Sequence, residues 1–314
     1  MAKGRYPLHQ SPLYKIVGLG KLETVLGIKV EKLDRLLAAE NYRVWINLKG
    51  REIQQPIKWL AHVHIRIGGL LARIELPSYV FSQKGRSYAD NAKYHANGEP
   101  LGKTDISGFY TSTTRHMVWR MFARDFQCAK DIANILADIC CYKQLHLPTG
   151  SPLSGRIAFL AAKPAFDRVA DMAVENNSRM SLYVDDITLS GPGVTKSLIS
   201  DVRQVIRQHG LRTKKSKTKT FAAGAAKTVT GAVVLGAEVR LPNGRHRKIW
   251  ETRKLLRMAA PAERLSLSRS LRGRLQEAKQ ILAKNIREGM DGQFSDAMQL
   301  GNAEGTDRSR GGLS

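Results

Sequence analysis

Residues 180–191, MSLYVDDITLSG, hold two adjacent carboxylates, Asp185 and Asp186, between two short apolar runs. Met180, Leu182 and Val184 alternate as one strand and Ile187 and Leu189 as the next, which predicts a β-hairpin with both carboxylates at its turn. Taken alone, an Asp-Asp turn reads equally well as a surface turn in which Asp caps its own backbone. A third carboxylate changes the balance: LGKTDISGFY, 101–110, reads as a strand ending in Asp105, with a break at Gly108 and a helix opening near Ser112. Carboxylates clustered at strand ends repel unless a cation neutralises them, and oxygen ligands with no cysteine nearby favour Mg²⁺ over zinc. Two such ions about 4 Å apart can activate a 3′-hydroxyl and stabilise a leaving pyrophosphate in an in-line displacement.

The rest of the chain must position these groups and bind what they act on. Its 314 residues carry 51 Lys and Arg against 27 Asp and Glu, a net charge of +24, which points to a partner rich in phosphate. No apolar run approaches the roughly 18 residues of a spanning helix, and MAKGRYPLHQ lacks the apolar segment of a signal peptide, so no membrane association and a cytoplasmic location are expected. Cys128, Cys140 and Cys141 form neither a CxxC pair nor an even framework and read as reduced core thiols. Residues 21–39 look helical, and VWINLKGREIQ reads as two short strands around a Lys49-Gly50 turn. Pro56 can open the next helix, whose Trp59, Val63, Ile67 and Leu70 recur at core spacing, as do Ile132, Ile135, Leu136 and Ile139 later. From 240 to 287 there are 14 Lys or Arg against Glu251, Glu263 and Glu277. On the last helix there Leu267, Leu271, Leu275, Ala278 and Leu282 form an apolar stripe, with Arg269, Arg272 and Lys279 on another face. Trp250 and Tyr142 can stack on bases or simply pack, and the tail GNAEGTDRSRGGLS has too little apolar surface to fold.

In order and spacing, DISGFY at 105–110, LPTGSPLS at 147–154, YVDD at 183–186 and SKT at 216–218 resemble successive reverse-transcriptase motifs. NAKYH at 91–95 is similar to the NAxxH box, and VTG at 229–231 to the VTG box, of retron reverse transcriptases. The resemblance implies an α+β right-hand polymerase fold: an N-terminal helical segment 1–40, fingers with the NAxxH-type region 41–100, a palm with an antiparallel sheet and interleaved fingers helices 101–238, a small basic helical thumb 239–290 and a disordered tail 291–314. It makes Asp105, Asp185 and Asp186 ligands of two Mg²⁺ ions, Asp105 and Asp185 bridging, with the Ile106 carbonyl completing the shell. Tyr110 becomes the steric gate against a ribose 2′-hydroxyl, and Arg51, with Lys49 second, a contact to the incoming triphosphate. Gly150 would let backbone and nucleotide approach closely, although Thr149 and Gly155 depart from the commoner Gln and Pro.

By the same resemblance Lys217 would protonate the departing pyrophosphate, with Lys214, Lys215 and Lys219 as close competitors. RNA contacts would fall on Asn91, His95, Val229, Thr230 and Gly231, and on Arg269 and Arg272 of the thumb. Asn91 and His95 can equally be a buried pair, and Gly231 a bulge glycine. Implied partners are deoxyribonucleoside triphosphates, a cognate structured non-coding RNA, the branched multicopy single-stranded DNA (msDNA) made from an internal guanosine 2′-hydroxyl, an effector protein in antiphage defence, and a host ribonuclease H. A group II intron-like or other bacterial class, or chiefly a scaffolding role, are the alternatives.

Overall fold

The computed structural model describes residues 4–282; the tail expected to be disordered, 291–314, and the last thumb residues, 283–290, lie outside the described residues. The chain divides into two compact units, the first ending at Glu238 and the second starting at Val239.

The first unit is built on a four-stranded antiparallel sheet. Numbering strands along the chain, a separate hairpin pairs β1 (Tyr42–Ile46) with β2 (Glu52–Pro56). The sheet itself contains β3 (Leu101–Asp105), β4 (Arg179–Tyr183), β5 (Asp186–Ser190) and β6 (Lys219–Phe221), in the order β4-β5-β3-β6. A third hairpin pairs β7 (Lys227–Val229) with β8 (Ala232–Leu235). Met180, Ser181 and Leu182 are all buried, as are Ile187, Thr188, Leu189 and Ser190, so both faces of the central hairpin are covered. The outer edge of β4 is covered as well, since Leu182 exchanges backbone hydrogen bonds with Tyr79 and Phe81. The 22-residue helix Ser154–Glu175 packs along β4 and against the helix Lys196–Gln208, and its Phe159, Phe166 and Val169 enter the core. Burying such side chains stabilises by about 1.5–3 kcal/mol each, which is what holds the hairpin under the helices.

Several local expectations are corrected. The helix expected over 21–39 stops at Leu26, because Gly27 takes a left-handed conformation (φ 71°) and caps it; a second short helix runs Leu33–Leu37. Pro56 ends β2, and the following helix starts at Lys58. That helix buries Leu60, Val63, His64, Ile67 and Leu71, while Trp59 is 71% exposed. The helix after Asp105 opens at Phe109 and Ser112 ends it. All three cysteines are free and buried, as the sequence implied.

The second unit holds two helices, Asn243–Met258 and Pro261–Leu282, which pack on each other. On the latter only Ala278 and Ile281 are buried; Leu267 and Leu271 are half-buried and Leu275 and Leu282 exposed, so the expected apolar stripe is only partly covered.

Candidate active site

Strand pairing brings the carboxylates together. Asp105 ends β3 and Asp186 begins β5, and the two face each other in register across the pair. Asp185 lies one residue back in the two-residue turn that joins β4 to β5. The turn is strained, because Val184, a β-branched residue, has φ of 60°. It is held to the neighbouring strand where Ile106 donates its N–H to the Asp185 carbonyl at 3.0 Å. Like charges directly opposite on a sheet are destabilising. Accordingly burial first, then the charges of Asp105 and Asp186, push the Asp185 carboxyl up to about 6; burial and Asp105 push Asp186 up as well.

Two lysines offset part of that repulsion. Lys217 Nζ sits 2.6 Å from Asp105 Oδ2, and Lys214 Nζ 3.5 Å from Oδ1. The hydrogen bond to Asp105 raises the Lys217 ammonium above its ordinary value and keeps it charged. Among the described residues only Lys217 and Lys214 of the four pair with a carboxylate of the triad. Among the described residues no three His, Cys, Asp or Glu side chains form a ready cage for a metal; on Asp105 the ammonium of Lys217 stands where a cation would. The donor set nonetheless fits a hard divalent cation: it is all carboxylate, its members repel, and buried Asp105 Oδ1 accepts no hydrogen bond.

Tyr110 is half-buried on the short helix Phe109–Ser112, and its hydroxyl is raised by burial and by the charge of Asp185. Gly155 lies beside the Tyr110 hydroxyl, and a Cβ there would stand 3.4 Å from its oxygen. An aromatic wall therefore flanks the carboxylates.

The reverse transcriptase (RNA-dependent DNA polymerase) family profile matches residues 30–249. The chain belongs to the reverse transcriptase family. Three curated relatives are retron enzymes: the Ec86 reverse transcriptase of Escherichia coli, 29% identical over 71% of this chain and 72% of its own; the Se72 enzyme of Salmonella heidelberg (strain 579083-10), 25% over 65% and 57%; and the Ec48 enzyme of Escherichia coli, 25% over 66% and 56%. The chain thus spans little more than half the length of the latter two. The chain is similar to these retron enzymes, and membership of the reverse transcriptase family gives it RNA-directed DNA polymerase activity and a right-hand fold. An apo telomerase structure from Candida Tropicalis also aligns, at 13% identity and TM-score 0.45, over 64% of this chain and 54% of that one.

In this reverse transcriptase the β1–β2 hairpin presents Lys49 and Arg51 at its tip. Asn47 Oδ1 accepts the N–H groups of both, at 2.9 and 3.1 Å, and both side chains are exposed without an ion-pair partner among the described residues. The Thr149-Gly150 segment docks on β2. Thr149 Oγ1 donates to the Glu52 carbonyl, Gly150 N–H donates to the Gln54 carbonyl at 3.1 Å, and a Cβ at Gly150 would meet that oxygen at 2.9 Å. The structure thus gives Gly150 a close approach to a protein strand, while the residue stays half-exposed. Tyr142 packs edge-on against Tyr42, at 4.9 Å between ring centroids.

The NAKYH segment is reassigned. Asn91 and His95 have no exposed surface, so neither offers a side chain to RNA. His95 Nδ1 and Nε2 lie 2.7 Å from the hydroxyls of Ser190 and Ser181, and burial holds the ring neutral, down to about 3. Neither end of the Asn91 amide has a hydrogen-bond partner, and nothing in the structure explains this. At the VTG segment Thr230 and Gly231 form the two-residue turn of the β7–β8 hairpin with φ of 42° and 81°, both positive as a type I′ turn requires. Thr230 Oγ1 donates to the Tyr88 carbonyl at 2.6 Å, on the first residue of the helix Tyr88–Tyr94. Both residues of the turn are partly exposed, whereas Val229 is buried. Arg269 and Arg272 are exposed on the helix Pro261–Leu282.

Ser181 and Ser190 are functional residues that the sequence pattern did not single out. Their signal was present: polar residues within strands whose neighbours on both faces are apolar.

Proposed function

We propose that this protein synthesises DNA on its own structured non-coding RNA, primed from an internal guanosine 2′-hydroxyl, and leaves a branched RNA–DNA product. The observation that carries the chemistry is the meeting of Asp105, Asp185 and Asp186 beside Lys217. Those carboxylates would hold two Mg²⁺ ions, which when bound activate the attacking hydroxyl and stabilise the leaving pyrophosphate. Asp105 and Asp185 would be the principal ligands and Asp186 the more peripheral one. Lys217 is the charged ammonium nearest the triad and donates a proton to the departing pyrophosphate, while Tyr110 excludes the 2′-hydroxyl of an incoming ribonucleotide. Arg51 and Lys49, free at a hairpin tip, receive the triphosphate.

The basic second unit, with Arg269 and Arg272, serves as thumb and follows the RNA backbone, and the exposed Thr230-Gly231 turn reads the RNA. The work is cytoplasmic, a host ribonuclease H trims the template, and an effector protein joins the RNA–DNA product in antiphage defence. No described helix is long and apolar enough to cross a membrane. The test is to express the gene with its flanking DNA and extract nucleic acid: the expected product is DNA joined to RNA, shortened by a 2′-5′ debranching enzyme. Linear DNA indifferent to debranching would overturn the priming assignment.

A further inference from the structure

The helix Lys196–Gln208 buries Leu198, Ile199, Val202 and Ile206 and turns another face outward. Ser200, Arg203, Gln204 and Arg207 follow there at i, i+3, i+4 and i+7, the spacing of one helical face. With Arg212 and Thr213 from the segment after the helix, they line a groove of about 440 Å³. Every lining residue carries a hydrogen-bond donor on its side chain; none is a carboxylate, and none belongs to the triad. Arg203 Nε donates to Thr213 Oγ1 at 2.9 Å, which fixes one guanidinium at the groove wall and leaves its remaining N–H groups for a ligand. Asp201, the only acid on this helix, pairs with none of the three arginines, and none has an ion-pair partner among the described residues.

Three guanidiniums gathered without a carboxylate repel one another, and an anion between them removes that cost. Planar guanidinium forks match phosphate oxygens two at a time, and the side chains of Ser200, Gln204 and Thr213 add neutral donors. We propose that this groove binds the phosphodiester backbone of RNA, at a site separate from the carboxylate triad.

Binding there bears on the catalytic strand through the backbone. The Arg212 carbonyl accepts the Ser107 N–H at 2.7 Å, Thr213 bridges Ile106, and Lys214 donates its N–H to the Asp105 carbonyl at 2.8 Å. RNA gripped by Arg212 thus holds the segment that lies against Asp105. The choice of RNA as ligand rests on the function proposed above, but the test reads affinity and not polymerisation, so the two fail separately.

The test uses the full chain and a fluorescein-labelled RNA hairpin of about 30 nucleotides, followed by anisotropy from roughly 50 to 300 mM salt. Arg207→Gln with Arg212→Gln leaves the Arg203–Thr213 bond in place. It is expected to weaken binding about tenfold at low salt and to flatten the slope of log affinity against log salt by about 1 to 2. Arg207→Lys with Arg212→Lys keeps the charge and should recover most of the affinity. Lys21→Gln with Lys143→Gln removes the same charge from exposed sites elsewhere and should change binding less than about twofold. Equal loss in the groove and control pairs, or no loss in the groove pair, overturns the proposal. Calorimetry with sodium tripolyphosphate separates the two sources of phosphate: loss of that anion with RNA affinity intact assigns the groove to a small ligand and removes RNA. A thermal melt of each variant separates a lost contact from a lost fold, and if the double variant melts early, the single Arg207→Gln on the exposed helix face carries the same test.

Discussion

His95 stands between Ser181 of β4 and Ser190 of β5, a ring nitrogen 2.7 Å from each hydroxyl. The two strands it ties are those whose turn carries Asp185 and whose first paired residue is Asp186. Replacing it with Leu strands two buried hydroxyls, at about 1–3 kcal/mol each. His95→Leu is therefore expected to lower unfolding stability by a few kcal/mol and to reduce kcat more than it raises the nucleotide KM. His95→Gln, which keeps a donor and an acceptor, should restore part of both. Full kcat in His95→Leu would mean that the hairpin holds its register without the clamp.

A pH dependence follows from His95 together with His64. His64 Nε2–H donates to the Ile139 carbonyl at 2.8 Å and Nδ1 accepts from Ser151 Oγ at 2.7 Å. Burial lowers His64 to about 4 and His95 to about 3, from an ordinary 6.5. Both rings are held neutral, so the unfolded chain binds more protons and stability rises with pH across this window. Stability should be complete above about 6.5 and fall as pH drops toward 4 and then 3, by roughly 3 kcal/mol for His64 alone. Urea unfolding from pH 7.5 to 4.5 measures it, and His64→Gln should flatten the curve. An unchanged slope would assign the acid sensitivity to other groups.

The carboxylate cluster predicts opposite effects on stability and activity. Asp185→Asn with Asp186→Asn removes repelling charges, so the melting temperature without divalent cation should rise, while extension of a primed RNA template should fall to background. Mg²⁺ should raise the melting temperature of the unaltered protein, by linkage to binding, and leave the double variant unmoved. Extension by the double variant, or an equal Mg²⁺ shift in both, would sink the metal assignment.

Tyr110 should decide sugar selectivity. Tyr110→Val removes the ring that carries a hydroxyl beside Gly155 and under the influence of the Asp185 charge, and is expected to raise ribonucleotide relative to deoxyribonucleotide incorporation by about 10- to 100-fold. Competition assays with both nucleotides measure the ratio, and an unchanged ratio returns Tyr110 to a packing role.

The carboxylates were legible because DD between two alternating apolar runs marks the end of a hairpin, although the turn itself is Val184-Asp185 and Asp186 already begins β5. The β1–β2 hairpin was legible for the same reason, through Lys49-Gly50. What stayed hidden was register and long-range docking. Nothing in the spacing says that Asp186, not Asp185, faces Asp105, because register is fixed by partners 80 residues away. Periodicity also placed Trp59 on the buried face of its helix, but that face is centred on Leu60, Val63, His64, Ile67 and Leu71, which leaves Trp59 at its margin. His95 was read as a ligand contact because a hydrogen-bonding pair looks the same from sequence whether the other side is nucleic acid or protein.

The Thr230-Gly231 turn is where recognition is most open to test. Its two residues have positive φ, which a β-branched Thr adopts only at a cost, and the bond from Thr230 Oγ1 to the Tyr88 carbonyl offsets part of that cost. The turn is thereby fixed to the helix Tyr88–Tyr94, whose far end leads into His95 and so to the hairpin of the carboxylates. Thr230→Asn suits a type I′ turn and keeps a polar side chain; Gly231→Ala introduces a Cβ at φ 81°. If the turn reads RNA, Thr230→Asn should leave the melting temperature unchanged and yet weaken binding and self-priming on the cognate RNA, with extension of an unrelated primed template spared. Shape readout depends on fit as well as charge, so that defect should persist at low salt. Gly231→Ala should lower the melting temperature and both activities together, since its strain acts on the fold. Equal loss on both templates in Thr230→Asn would mean that the turn serves only to brace the helix, and no loss on either would remove it from the recognition surface.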